Sequence, residues 1–131
     1  MVLGKYPLLR LRMERGEREW EAARAEIKRQ VDGALPRLAA AILGMAGVRG
    51  AWMFGSFAAQ HFRPGSDLDI AVDAPEWTYV DLFAAQRGLE RETGLPIHLN
   101  LRADLAPETL ESEGVDLHTL VQEAVQLSHR A

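Results

Sequence analysis

Two short clusters in this 131-residue sequence combine residue types that handle phosphate and divalent metal. Gly55 and Ser56 close one apolar segment, and after ten intervening residues, 57–66, Asp67 and Asp69 open the next. Carboxylates two apart on a strand share a face, with α-carbons roughly 6 to 7 Å apart, so their oxygens can converge on hard cations. The ions of two-metal phosphoryl-transfer sites lie about 3.5 to 4 Å apart and stabilise both the attacking and the leaving oxygen. Gly55 has no side chain to hold a triphosphate off the backbone, and Ser56 adds a hydroxyl and an amide at what reads as a helix start. Ser66, directly before Asp67, is a further nucleotide-binding candidate.

Such residues need a sheet to hold them. Asp67 to Val72 alternates Asp, Leu, Asp, Ile before turning wholly apolar, which predicts a strand with both carboxylates on one face and Leu68 and Ile70 on the other. Val48 to Phe54 predicts a buried strand before it, and Pro75 a stop after it. Leu95 to Leu101 alternates again, with Ile97, Leu99 and Leu101 on one side and His98 and Asn100 on the other. Helical spacing of Trp20, Ala23, Ile27 and Val31 predicts a helix over about Glu17 to Val31, with Trp20 in the core. Gly33 and Pro36 interrupt that pattern, and Leu38, Ala41, Ile42 and Met45 resume it up to Gly47. Thr78 is a candidate cap for a helix whose core positions read as Val80, Leu82, Phe83 and Leu89, ending at Gly94. Pro107 reads as another helix start, and Ala124 to Leu127 as a last short strand.

Length fits a single domain over 1–131, divided into an amino-terminal extension and helix (1–33) and a core (34–131), with no room for a separate substrate domain. Apolar residues at 47% and charged residues at 26% are ordinary for a globular protein. No run approaches the roughly 20 apolar residues that span a bilayer, and the start lacks a secretory cleavage pattern. Absence of cysteine excludes disulfides and thiolate metal sites, and a cytoplasmic setting is expected. Residues 1–37 hold nine basic against six acidic side chains, although the net charge is −4. Glu and Arg interleave from Glu14 to Arg29 as on a solvated helix, without a basic run or interleaved aromatics, which speaks against a nucleic-acid partner.

The stretch WMFGSFAAQHFRPGSDLDIAV, Trp52 to Val72, resembles the nucleotidyltransferase superfamily of DNA polymerase β, in particular the minimal nucleotidyltransferases of prokaryotic toxin-antitoxin pairs. That resemblance covers about Leu35 to Leu101 and implies an α/β (α+β) fold, a mixed β-sheet flanked by helices. It implies a Mg2+ site, with Mn2+ as the alternative, ATP as substrate, and transfer of AMP to a hydroxyl on a small helical HEPN-type partner. Gly55 and Ser56 match the phosphate-binding turn, and Asp67 and Asp69 the first two metal ligands and catalytic carboxylates. Two departures stand out. Where the family continues its turn with an arginine and a glycine, this chain has Ala59 and Gln60, and where it places a third aspartate the chain has His98, with Asn100 on the same face. His98 is therefore the candidate third metal ligand. Two functions follow: a working nucleotidyltransferase, or a catalytically impaired relative that acts by binding nucleotide or a partner protein. Trp20, Trp77 and Tyr79 are interface candidates wherever they are exposed, and self-association is left open.

Overall fold

The structure, a computed structural model, describes residues 7–119 and 122–123, and within them every side chain except those of residues 7 and 9–11. The strand expected over Ala124 to Leu127 lies outside the described residues. In chain order the elements are α1 (Pro7–Leu43), β1 (Gly50–Phe54), α2 (Gly55–Ala58), β2 (Leu68–Asp73), α3 (Tyr79–Thr93), β3 (Ile97–Leu101), a 3-10 turn (Arg102–Asp104), α4 (Pro107–Glu113) and β4 (Val115–Asp116).

The four strands form one mixed sheet in the order β3-β2-β1-β4. β1 runs antiparallel to both β2 and β4, whereas β2 and β3 are parallel and joined by the α3 crossover. Alternation sorts the strand residues onto two unlike faces. Ala51, Met53, Leu68, Ile70, Val72, Ile97 and Leu99 point into a single core, which Val31, Leu35, Leu38 and Ile42 of α1 and Leu82 and Leu89 of α3 complete. Trp52, Phe54, Asp69, Asp73, His98 and Asn100 belong to the opposite face, none of them fully buried. The helical layer thus covers one side and leaves the chemistry-bearing side open.

α3 begins at a complete capping box: Thr78 accepts from the Asp81 amide and Asp81 accepts from the Thr78 amide. It ends on Gly94 in the left-handed conformation, as expected of a glycine stop. Only part of its expected core is buried. Leu82 and Leu89 are, but Val80 and Phe83 face solvent. α1 departs further, running unbroken for 37 residues with Pro36 inside it. Pro36 has no N–H to give the Asp32 carbonyl, but the buried Ala34, Leu35, Leu38 and Ala39 around it hold the helix in place. Trp20, expected in the core, is exposed.

Candidate active site

β1 leads directly into α2, and the junction is Gly55. Its φ is +72°, a left-handed conformation natural to glycine, and a β-carbon placed there would lie 2.5 Å from Asp69 Oδ2. The β1–β2 register sets Phe54 opposite Asp69, which brings the turn against the carboxylate. Ser56 sits in the first turn of α2, which no side chain caps. The two motifs that the sequence separates by ten residues therefore meet.

What fixes α2 is a set of contacts behind it. Phe57 and Phe62 stack with ring centroids 4.4 Å apart and planes within 6° of parallel. Arg24 of α1 lies over the Phe62 ring, 4.8 Å from its centroid, and donates to the carbonyls of Phe62 (3.0 Å) and Gln60 (3.1 Å). α2 then closes on a Schellman turn, the His61 amide donating to Ser56 O and the Gln60 amide to Phe57 O, with Gln60 itself at φ +61°. This geometry accounts for the glycine that the resembling enzymes carry there. Arg24 read as one more charge on a solvated helix, since nothing local reveals a partner 36 to 38 residues away. It serves the carboxyl end of α2, so it does not replace the missing phosphate-facing arginine.

Asp69 and His98 are register partners on β2 and β3. Their side chains meet, Nδ1 to Oδ1 at 3.5 Å, with Asp69 the better covered of the two. Burial lifts the Asp69 carboxyl above the ordinary carboxylate range, His98 pulls it back, and the neighbouring charge of Asp67 adds to the rise. Asp67 stands one residue before β2 and is exposed. Among the described residues, no three His, Asp or Glu side chains converge tightly enough to form a metal-holding group. The donor chemistry nonetheless fits a divalent cation: Asp69 is half-buried beside a second carboxylate, and it is paired with an imidazole rather than with a Lys or Arg. Two carboxylates suit Mg2+ and Mn2+ alike, and the imidazole favours the transition metal.

Other candidates fall elsewhere. The Ser66 hydroxyl accepts from the Arg63 amide at 2.9 Å and closes the turn over residues 63–66. Ser66 also lines a crevice of about 120 Å3 with Ile27, Val31 and Leu95, and none of the residues of the open face lines it. Asn100 lies on the Asp69 face, opposite Ala71, and donates to the His98 carbonyl at 3.3 Å. Asp104, the nearest acid after β3, accepts from the Tyr79 hydroxyl at 3.0 Å, at the far end of β3 from His98. Trp77 donates to the Ala46 carbonyl and is half-buried, whereas Tyr79 is exposed.

Farther along the open face is a concavity of about 540 Å3 that the sequence did not foreshadow. Trp52, Asp73 and Arg102 form its floor, and Leu110 and Glu111 of α4 line it too. Arg102 lies over the Trp52 ring at 4.9 Å and pairs with Asp73 at 3.6 Å. Asp73 is four residues beyond Asp69 on β2, about 13 Å at strand rise.

A helix-backed mixed sheet with a Gly-Ser turn pressed on an Asp-x-Asp strand is the architecture of nucleotide-transferring domains. The chain belongs to the polymerase β nucleotidyltransferase family, whose sequence profile, "Polymerase beta, Nucleotidyltransferase", matches residues 40–127. Among solved structures it is similar to a toxin-antitoxin complex with AMP-PNP, at 14% identity over 72% of this chain and 87% of that one, with a TM-score of 0.55. It is also similar to a double Asp-to-Glu variant of the toxin-antitoxin MntA–HpeT, at 14% identity over 76% and 87% of the two chains, TM-score 0.51. A tri-AMPylated Shewanella oneidensis HEPN toxin in complex with MNT antitoxin aligns less closely, at 12% identity over 84% and 87%, TM-score 0.44. At these identities the likeness is one of fold. Among curated proteins nothing matches the sequence.

Proposed function

We propose that this protein is a metal-dependent nucleotidyltransferase that moves AMP from ATP to a hydroxyl on a HEPN-type partner protein, as the antitoxin of such a pair in the cytoplasm. The observation that carries this reading is the contact between Gly55 and Asp69, which sets a phosphate-accepting turn against a half-buried carboxylate. Membership of the family supports nucleotide transfer in general. The likeness to a toxin-antitoxin complex with AMP-PNP suggests the nucleotide and the partner.

In this mechanism Asp67, Asp69 and His98 would hold Mg2+ or Mn2+, with His98 in place of a third acid; such an ion would supply phosphate charge neutralisation and a lowered pKa for the attacking hydroxyl. Gly55 and Ser56 receive the β- and γ-phosphates, and Ser66 keeps the loop before Asp67 closed. The acceptor oxygen attacks the α-phosphorus, the bond from that phosphorus to the bridging β-oxygen breaks, and pyrophosphate leaves. The hydroxyl proton passes to Asp69 or to water. The open sheet face admits a protein side chain more readily than it encloses a small molecule. Trp52 and Arg102 lie where the nucleoside end would extend.

A second reading has its own observation. His98, an imidazole beside Asp69, stands where the family places its third acid, the substitution that a relative binding nucleotide or partner without turning over would carry. One comparison separates the two: incubate the protein with labelled ATP, Mg2+ or Mn2+ and a co-encoded helical partner, alongside Asp67→Ala, Asp69→Ala and His98→Asp. Label on the partner that disappears with either aspartate supports the enzyme. Label only with His98→Asp means that catalysis has lapsed at that position, and absence of nucleotide binding in every form removes the site.

A further inference from the structure

The amino-terminal half of α1 carries an apolar seam along the same line that the rest of the helix buries. At about 100° per residue, Met13 and Trp20 fall within roughly 20° of Val31, a core residue. Toward the amino terminus the body of the protein no longer reaches this line. Every residue from Arg12 to Ala22 is exposed, Met13 at 45% and Trp20 at 44%. The seam has a seven-residue repeat, Met13 to Trp20 to Ile27, with Gly16 and Ala23 between, the spacing of a coiled-coil interface.

We propose that a second copy of this chain covers the seam, the two α1 arms packing antiparallel with Gly16 of each against Met13 of the other. Charge selects the occupant. In that register Arg12 meets Glu19 of the other copy, a pair that occurs twice by symmetry. Within one chain Arg12 and Glu19 stand seven residues apart, about 10.5 Å along the axis, and do not pair. Gly16 has nothing within 4 Å of where its β-carbon would be, so the backbones can approach there. A parallel pairing would match Glu19 with Arg24 of the other copy, but Arg24 is already committed to Phe62 and Gln60. It would also bring both bodies to the same level on the seam. Antiparallel arms place them at opposite ends. The overlap is only about 16 residues of each helix, a small interface, so the dimer is reversible. This inference is independent of the transfer reaction proposed above.

Sedimentation equilibrium over about a hundredfold range of concentration tests it on the full chain. The average mass rises from 14.6 kDa toward twice that value. Arg12→Glu and Glu19→Arg each weaken association about tenfold, and the double variant recovers the wild-type constant, because the swapped charges meet again across the antiparallel axis. Trp20→Glu stays monomeric with its far-ultraviolet dichroism retained. A double variant weaker than either single variant points to parallel arms and overturns the proposal. So does a wild-type chain that remains monomeric throughout, and so does one whose Trp20 becomes shielded only when a helical partner protein is added.

Discussion

At Gly55 two constraints coincide: a positive φ and an Asp69 oxygen in the space a β-carbon would take. Gly55→Ala therefore has to rotate the backbone or displace the carboxylate. The expected loss is about 2 kcal/mol of stability, measured by urea titration, together with a more than roughly hundredfold fall in label transfer. Equal activity with lowered stability would mean that Asp69 does not need its observed position. Asp69 makes a second, oppositely signed prediction. Its folded pKa is raised because burial disfavours the charge, so the folded state loses stability as pH climbs from the unfolded value of 3.8 through the raised folded one. In metal-free buffer Asp69→Asn is accordingly more thermostable than the parent above that interval, and the advantage closes as pH falls below it. Adding Mn2+ reverses the order. At a concentration a hundred times its dissociation constant, the ion stabilises the parent by about 2.7 kcal/mol and the variant far less. A parent protein that Mn2+ and Mg2+ leave unshifted would remove the metal site.

The short α2 depends on supports from outside itself. Arg24→Ala deletes two hydrogen bonds to loop carbonyls and the contact over Phe62, at an expected cost of about 2 kcal/mol by chemical denaturation. Gln60→Gly should act the other way, raising the unfolding free energy measured by chemical denaturation by up to about 1 kcal/mol as left-handed strain is relieved, less what the Gln60 side-chain bond to Phe57 O contributes. These elements also mark how far the sequence can be read. The strands carrying Asp69 and His98 were legible because a period of two sorts acids from aliphatics within six residues. Thr78, Gly94 and Pro107 announced helix ends by local chemistry, and the structure places an end at each. Continuity of α1 through Gly33 and Pro36 was not legible, because local propensity there opposes the helix and the favourable packing comes from distant strands. Val80 and Phe83 read as core for the converse reason: their spacing suits a buried stripe, but α3 turns Leu82, Leu89 and the partly buried Ala85 inward instead. β4 is two residues long and carries no pattern to read. At the site the residue types were legible, whereas the strand order that brings Gly55 to Asp69 and Asp69 to His98, like Arg24 and the Trp52–Arg102 pair, required the coordinates.

Taken whole, the molecule divides its labour between two sides of one sheet and along one helix. Stability resides where α1 and α3 cover the apolar face, and the open face carries the groups that cost stability, Asp69 foremost. α1 joins the two roles, since its carboxyl half is core, Arg24 supports α2, and the stretch from Arg12 to Ala22 is exposed. Removal of residues 1–22 should therefore change stability by no more than about 0.5 kcal/mol, a shift of only a few degrees in Tm, and should leave label transfer intact. Removal of residues 1–30 also takes Arg24 and the partly buried Ile27, and should cost at least about 3 kcal/mol. Hydrogen exchange checks the same division without truncation. Amides from Arg12 to Ala22 should exchange with little protection at low protein concentration, while those of Leu38 and Ile42 exchange only through global unfolding. Protection of the arm that grows with concentration would carry the dimer's signature, because an exposed helix holds its hydrogen bonds longest when a second helix covers its seam.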